Sequence, residues 1–99
     1  MKNFRTYQMA KELHREVKSL TLKGELKDQI ERASLSVALN LVEGSGRIGN
    51  DRLKFFRYAF GSIKEVQGCL DIIDHPLVNK AEGLAKGIWC LLKNPGRGY

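Results

Sequence analysis

The chain has 99 residues, 42% of them apolar and 28% charged, a balance that points to one folded domain rather than a disordered or fibrous chain. No apolar run approaches the ~20 residues of a membrane span, and the start MKNFRTYQMAKEL lacks the apolar h-region of a secretory signal. A cytoplasmic protein with no membrane association is the expectation. Its formal net charge of +6, from 17 Lys+Arg against 11 Asp+Glu, favours an anionic partner. Two cysteines make no disulfide framework.

The apolar spacing is helical from end to end. Tyr7, Ala10, Leu13, Val17 and Leu20 form a first stripe, which Lys23-Gly24 is expected to end. Leu26, Ile30, Ala33, Val37, Leu41 and Gly44 form a second. Gly44 to Gly49 should close this helix, with Gly44 and Gly46 supplying left-handed C-cap geometry and Asn50 or Asp51 capping the next. Leu53, Phe56, Phe60, Ile63, Val66, Leu70 and Ile73 step by threes and fours as a third stripe. His75-Pro76 should open a fourth helix, with proline at its first position, carrying Leu77, Ala81, Leu84, Ile88 and Leu91. No run alternates with period two, so no strand is expected. Short connections make helical neighbours antiparallel, and the predicted fold is all-α, an antiparallel up-down four-helix bundle over residues 1–99.

Helices two and three are apolar on more than one side. Leu35, Leu39 and Val42 lie off the second stripe, and Phe55, Tyr58 and Ala59 lie off the third. A second apolar face suggests burial against another subunit.

GSGRIG, residues 44–49, matches the dinucleotide fingerprint literally, but that motif needs a preceding strand. Here it separates two helices. A polar stripe crosses the same region. Gln29, Arg32, Ser36, Asn40, Glu43 and Arg47 recur at helical spacing, and Ser62 and Glu65 answer them on helix three. A structural hydrogen-bonded network is the favoured reading. The alternative is a Glu43–Glu65 carboxylate pair for acid–base or metal chemistry. No Glu-x-x-His pair, Cys-x-x-Cys, Walker A pattern or Gly-x-Ser-x-Gly elbow occurs, so the expectation is a non-enzyme without metal or cofactor.

QIERASLSVALNLVEGSGR followed by DRLKFFRYAFGSIKEVQGCL resembles the ribosomal-RNA intervening-sequence proteins. The resemblance rests on Gln29, Arg32, Ala33, Ser36, Asn40, Glu43, Gly44, Gly46 and Arg47, then Phe55, Phe56, Ala59, Gly61, Ser62 and Glu65. It implies a four-helix bundle that assembles with itself into a pentameric ring. A distant similarity to the accessory variability protein of diversity-generating retroelements implies a basic pentamer that binds nucleic acid and a reverse transcriptase.

In an up-down bundle the termini and the turn between helices two and three share one end. That end would gather Lys2, Arg5, Arg47, Arg52, Lys54, Arg57, Lys93 and Arg97 against Asp51, while the opposite end is close to balanced. These eight residues are the candidate contacts to RNA or DNA phosphates, with Tyr58 and Tyr99 as possible stacking faces. The expected function is a non-enzymatic oligomeric nucleic-acid-binding accessory protein. The alternative is an interaction module whose partner is a protein such as a reverse transcriptase.

Overall fold

The computed structural model describes residues 4–94, which form four helices. These are α1 (Arg5–Lys18), α2 (Gly24–Ser45), α3 (Gly49–Ile72) and α4 (Val78–Lys93), and no strand occurs among the described residues. The predicted stripes face inward. Leu13, Val17, Ile30, Val37, Leu41, Phe56, Ile63, Val66, Leu70, Leu84 and Ile88 are all buried in a core to which every helix contributes. Fully burying one such side chain is worth about 1.5–3 kcal/mol.

The contacts between α2 and α3 run in opposite chain order. Gln29 meets Glu65, Ser36 meets Ser62, and Gly44 meets Phe56. The start of α1 lies at the start of α3, where the Phe4 and Phe56 rings sit 6.4 Å apart. It also lies at the end of α4, where Arg5 lines a shallow depression with Leu91 and Asn94. Lys80 on α4 reaches back to pair with Glu16 and, at 3.0 Å, with Glu12.

Several local expectations are corrected. Gly24 does not end α1, which stops at Lys18; it opens α2 with φ +64. Gly46 has φ −87, and Gly44 lies within α2, so neither is left-handed. That role falls to Gly49, at φ +59. No side chain caps α3, so Asn50 and Asp51 are not caps; Ile48 holds the N-cap position. Pro76 sits in the turn two residues before α4 rather than at its first position. There His75 Nδ1 accepts the Leu77 N–H at 3.0 Å. Ala59, expected off the third stripe on a subunit-facing side, is fully buried in the core of the single chain. Phe60, assigned to the core stripe, is half-buried. Cys69 and Cys90 are free thiols, one buried and one exposed, and burial followed by the nearby Glu65 pushes the Cys69 thiol pKa up.

A polar contact ties α1 to α2 beside this core. Ser34 Oγ is buried, 3.1 Å from the Glu31 carbonyl to which it donates, and 2.7 Å from His14 Nδ1. With its hydrogen committed to that carbonyl, the hydroxyl accepts from the imidazole N–H. Loss of solvent, then the charge of Lys18, lowers the His14 pKa against an opposing effect of Glu31. An unfolded histidine titrates near about 6.5. Stability held by neutral His14 is therefore complete above that value and lost as pH falls through the lower folded value. The urea midpoint is expected to drop on acidification from about pH 7 to about pH 5, and less so in His14→Gln. Equal pH dependence in the two proteins would remove His14 from this role.

Candidate nucleic-acid interface

The α2–α3 corner is set by a close approach. A Cβ at Gly44 would stand 2.6 Å from two ring carbons of Phe56 and 3.3 Å from the Arg52 carbonyl. Only glycine lets the end of α2 lie on the start of α3, and Phe56, with no exposure at all, fills the space. Gly49 then supplies the left-handed residue from which α3 starts. The GSGRIG glycines thus do two kinds of work, close packing and chain reversal, and neither is phosphate cradling.

Arg52 is built into the same corner. Its Nε and a terminal nitrogen donate to the Gly44 and Ser45 carbonyls, each at 3.2 Å. These carbonyls lie at the C-terminus of α2, where a positive charge is favourable, although the Gly44 carbonyl also accepts the Arg47 N–H at 3.1 Å. Arg52 is therefore committed to the fold, which sets it apart from the other candidate phosphate contacts.

Around this corner the remaining basic residues are exposed and interleaved with aromatics. Arg47 forms an ion pair with Glu43 at 2.7 Å and lays its guanidinium 5.2 Å from the Phe55 ring centre. Lys54 Nζ stands 5.3 Å from the same ring. Tyr58, 53% exposed, meets Phe55 edge-on at 5.9 Å. Arg57 is exposed one turn further along α3. Arg5 and Lys93 are exposed at the α1 start and the α4 end, and Lys93 Nζ lies 5.6 Å over the Trp89 ring. The candidates thus fall into two groups, one about Phe55 and one at the α1–α4 junction. Lys2, Arg97 and Tyr99 lie outside the described residues.

The polar stripe is brought together only in part. Gln29 Nε2 donates to Glu65, Ser36 Oγ lies 2.8 Å from Ser62 Oγ, and Asn40 Nδ2 donates to Ser36 at its carbonyl (2.9 Å) and hydroxyl (3.0 Å). Glu43 instead pairs on the surface with Arg47, just past the end of α2. Arg32 is exposed, with no hydrogen bond or ion pair among the described residues. Glu65 stands beside Gln29, and Glu43 is fourteen positions further along α2. That is about 21 Å of helix, too far for two carboxylates to share one reaction. The described residues hold no cluster of three or more His, Cys, Asp or Glu able to hold a metal ion.

The polar pairs that join α2 to α3 and the glycine corner beneath them occupy the stretch carrying the sequence resemblance, and a family model described as 23S rRNA-intervening sequence protein matches residues 2–82. The chain belongs to that family. The match takes in α1 to α3 and the first residues of α4. No curated protein and no solved structure matches the chain. As an intervening-sequence family member it is a four-helix protein in which no helix among the described residues is long and apolar enough to cross a membrane.

Phe55, expected on an apolar subunit face, has the Arg47 and Lys54 cations 5.2 and 5.3 Å from its ring centre. Trp89 was not singled out, although a lone tryptophan placed off the Leu84–Ile88–Leu91 stripe was a visible signal of a surface aromatic.

Proposed function

We propose that this protein is a non-enzymatic, cytoplasmic accessory protein that binds RNA or DNA through its basic end as a homo-oligomer. The carrying observation is the Arg47–Phe55–Lys54 cluster beside exposed Arg57, with Arg5 and Lys93 on the adjoining helix ends. Cations set around aromatic faces suit a polyanion of stacked planar bases, where ammonium and guanidinium groups meet phosphates and rings meet bases. The family description refers to an intervening sequence of 23S rRNA, an RNA setting in keeping with this reading.

Oligomerisation draws support from a different face. Leu35 and Leu39, one turn apart on the outside of α2, are 43% and 57% exposed, and neither packs into the core. An antiparallel up-down bundle with that face closed against a second copy, repeated around a five-fold axis, would bring the basic ends onto one rim. A protein partner such as a reverse transcriptase is the second reading, and exposed Leu35, Leu39 and Tyr58 are what favour it.

The test compares two pairs of neutral variants for binding labelled RNA and DNA oligonucleotides. Lys54→Gln with Arg57→Gln is expected to weaken binding and to shallow the single-strand salt slope by roughly 1.4 per subunit engaged. Lys18→Gln with Lys23→Gln, exposed at the other end of α1, should leave both nearly unchanged. Equal losses from the two pairs would mean diffuse attraction and no site.

A further inference from the structure

We propose that the groove between α3 and α4 is a base-stacking site in which Trp89 takes one exposed base of a single-stranded nucleic acid, a reading that rests on nucleic-acid binding by the basic end. Trp89 is 48% exposed, a large apolar ring left half in water on α4, while Leu35 and Leu39 lie on α2. It forms one wall of a groove of about 520 Å³. Phe60 stands against it with ring centres 5.6 Å apart, tilted by 46°.

Charge around the groove decides what fits. Lys64 and Lys86 line it with Glu82, and Lys93 lies over the indole. Glu82 meets Lys86 only at 3.6 Å, between exposed side chains. Such a pair is weak, so the ammonium remains exchangeable. The rim is therefore net positive and complementary to phosphate. Arg57 lies two turns before Lys64 on α3, and Lys93 closes α4, so exposed cations run along both helices between the groove and the basic end.

Inside the groove, Gln67 Oε1 is buried without a hydrogen-bond partner, a costly state for an amide oxygen. Rotation of that amide presents its oxygen to an incoming donor, and the exocyclic amino group of adenine or cytosine is such a donor. A flat ring on the indole would displace the Lys93 ammonium from its exposed cation–π position and free it for the phosphate of the same nucleotide. An aromatic wall, an unsatisfied acceptor and flanking cations together match a nucleotide unit better than an acidic peptide, which would use only the cations.

Trp89 is the single tryptophan of the chain, so its fluorescence reports this site alone. The experiment compares an oligodeoxyadenylate of roughly ten nucleotides with an abasic strand of equal length, each carrying a terminal label for anisotropy. Oligodeoxyadenylate is expected to quench Trp89, and the abasic strand to bind with little quenching. Trp89→Leu should weaken oligodeoxyadenylate binding roughly ten-fold, the scale of one lost stacked base, while abasic-strand affinity stays the same. Trp89→Phe should recover most of the loss, which separates stacking from misfolding. If Trp89→Leu weakens both strands equally, or binding persists without quenching, the stacking site is wrong while nucleic-acid binding stands. If neither strand binds, both readings fall. Quenching by oligoglutamate but not by oligodeoxyadenylate would assign the groove to an acidic protein segment and overturn the proposal.

Discussion

Gly44→Ala is expected to lower the melting temperature by roughly 5–20 °C. The added methyl falls 2.6 Å from the Phe56 ring. Phe56 has no exposed surface into which to retreat, and the Arg52 carbonyl at 3.3 Å blocks movement on the other side. Overpacking of this kind costs about 1–3 kcal/mol, and about 1 kcal/mol shifts the melting point of a domain this size by about 4–8 °C. Trimming the ring supplies the control. Phe56→Leu alone loses core contacts, but it opens space for the methyl, so the double variant should be more stable than the sum of the two losses by about 0.5–3 kcal/mol. Additive losses would show that the helices separate rather than clash. Gly61→Ala, on an exposed part of α3 with nothing within 4 Å of the new Cβ, should be neutral or stabilising.

Leu39→Glu is expected to reduce the protein in sedimentation velocity from an oligomer to a single chain of 11.2 kDa. Leu35 and Leu39 expose 43% and 57% of their surface in the isolated chain. Covering a leucine side chain fully is worth about 1.5–3 kcal/mol. An ionised carboxylate in the same dry contact would carry a desolvation cost with no partner to offset it. In a closed ring that loss repeats at every subunit boundary. Circular dichroism should show unchanged helicity, because neither leucine belongs to the core. A wild-type protein that already sediments as a single chain would remove the oligomer from the account.

The helices were legible because their information is local. The spacing of Leu13 and Val17, of Ile30, Val37 and Leu41, and of Ile63, Val66 and Leu70 sets one buried side per helix, and each of these residues is buried. The corners were read less well, because their roles depend on what lies across the gap. Gly44 resembles a helix terminator in sequence; it is a contact surface only because Phe56 arrives against it. Arg52 reads as one more charge in a basic run, and its bonds to the end of α2 depend on backbone carbonyls eight and seven positions earlier. Ser36 reaches Ser62 across the α2–α3 seam, and Asn40 donates to Ser36 within α2. Glu43 shares their spacing, but the Arg47 guanidinium, four residues on in the turn after α2, pairs with it instead. Helical spacing specifies a face and not a partner, which explains why the fold was more readable than the site.

The most direct measurement is a salt titration of the wild-type protein binding a labelled single-stranded RNA. If Arg5, Lys54, Arg57 and Lys93, all exposed, meet phosphates, the logarithm of the affinity should fall linearly with the logarithm of salt concentration, with a slope near about −3 per subunit engaged, at roughly −0.7 per single-strand phosphate neutralised. An affinity that does not change with salt, or no binding at the lowest salt concentration, would contradict nucleic-acid recognition by the basic end.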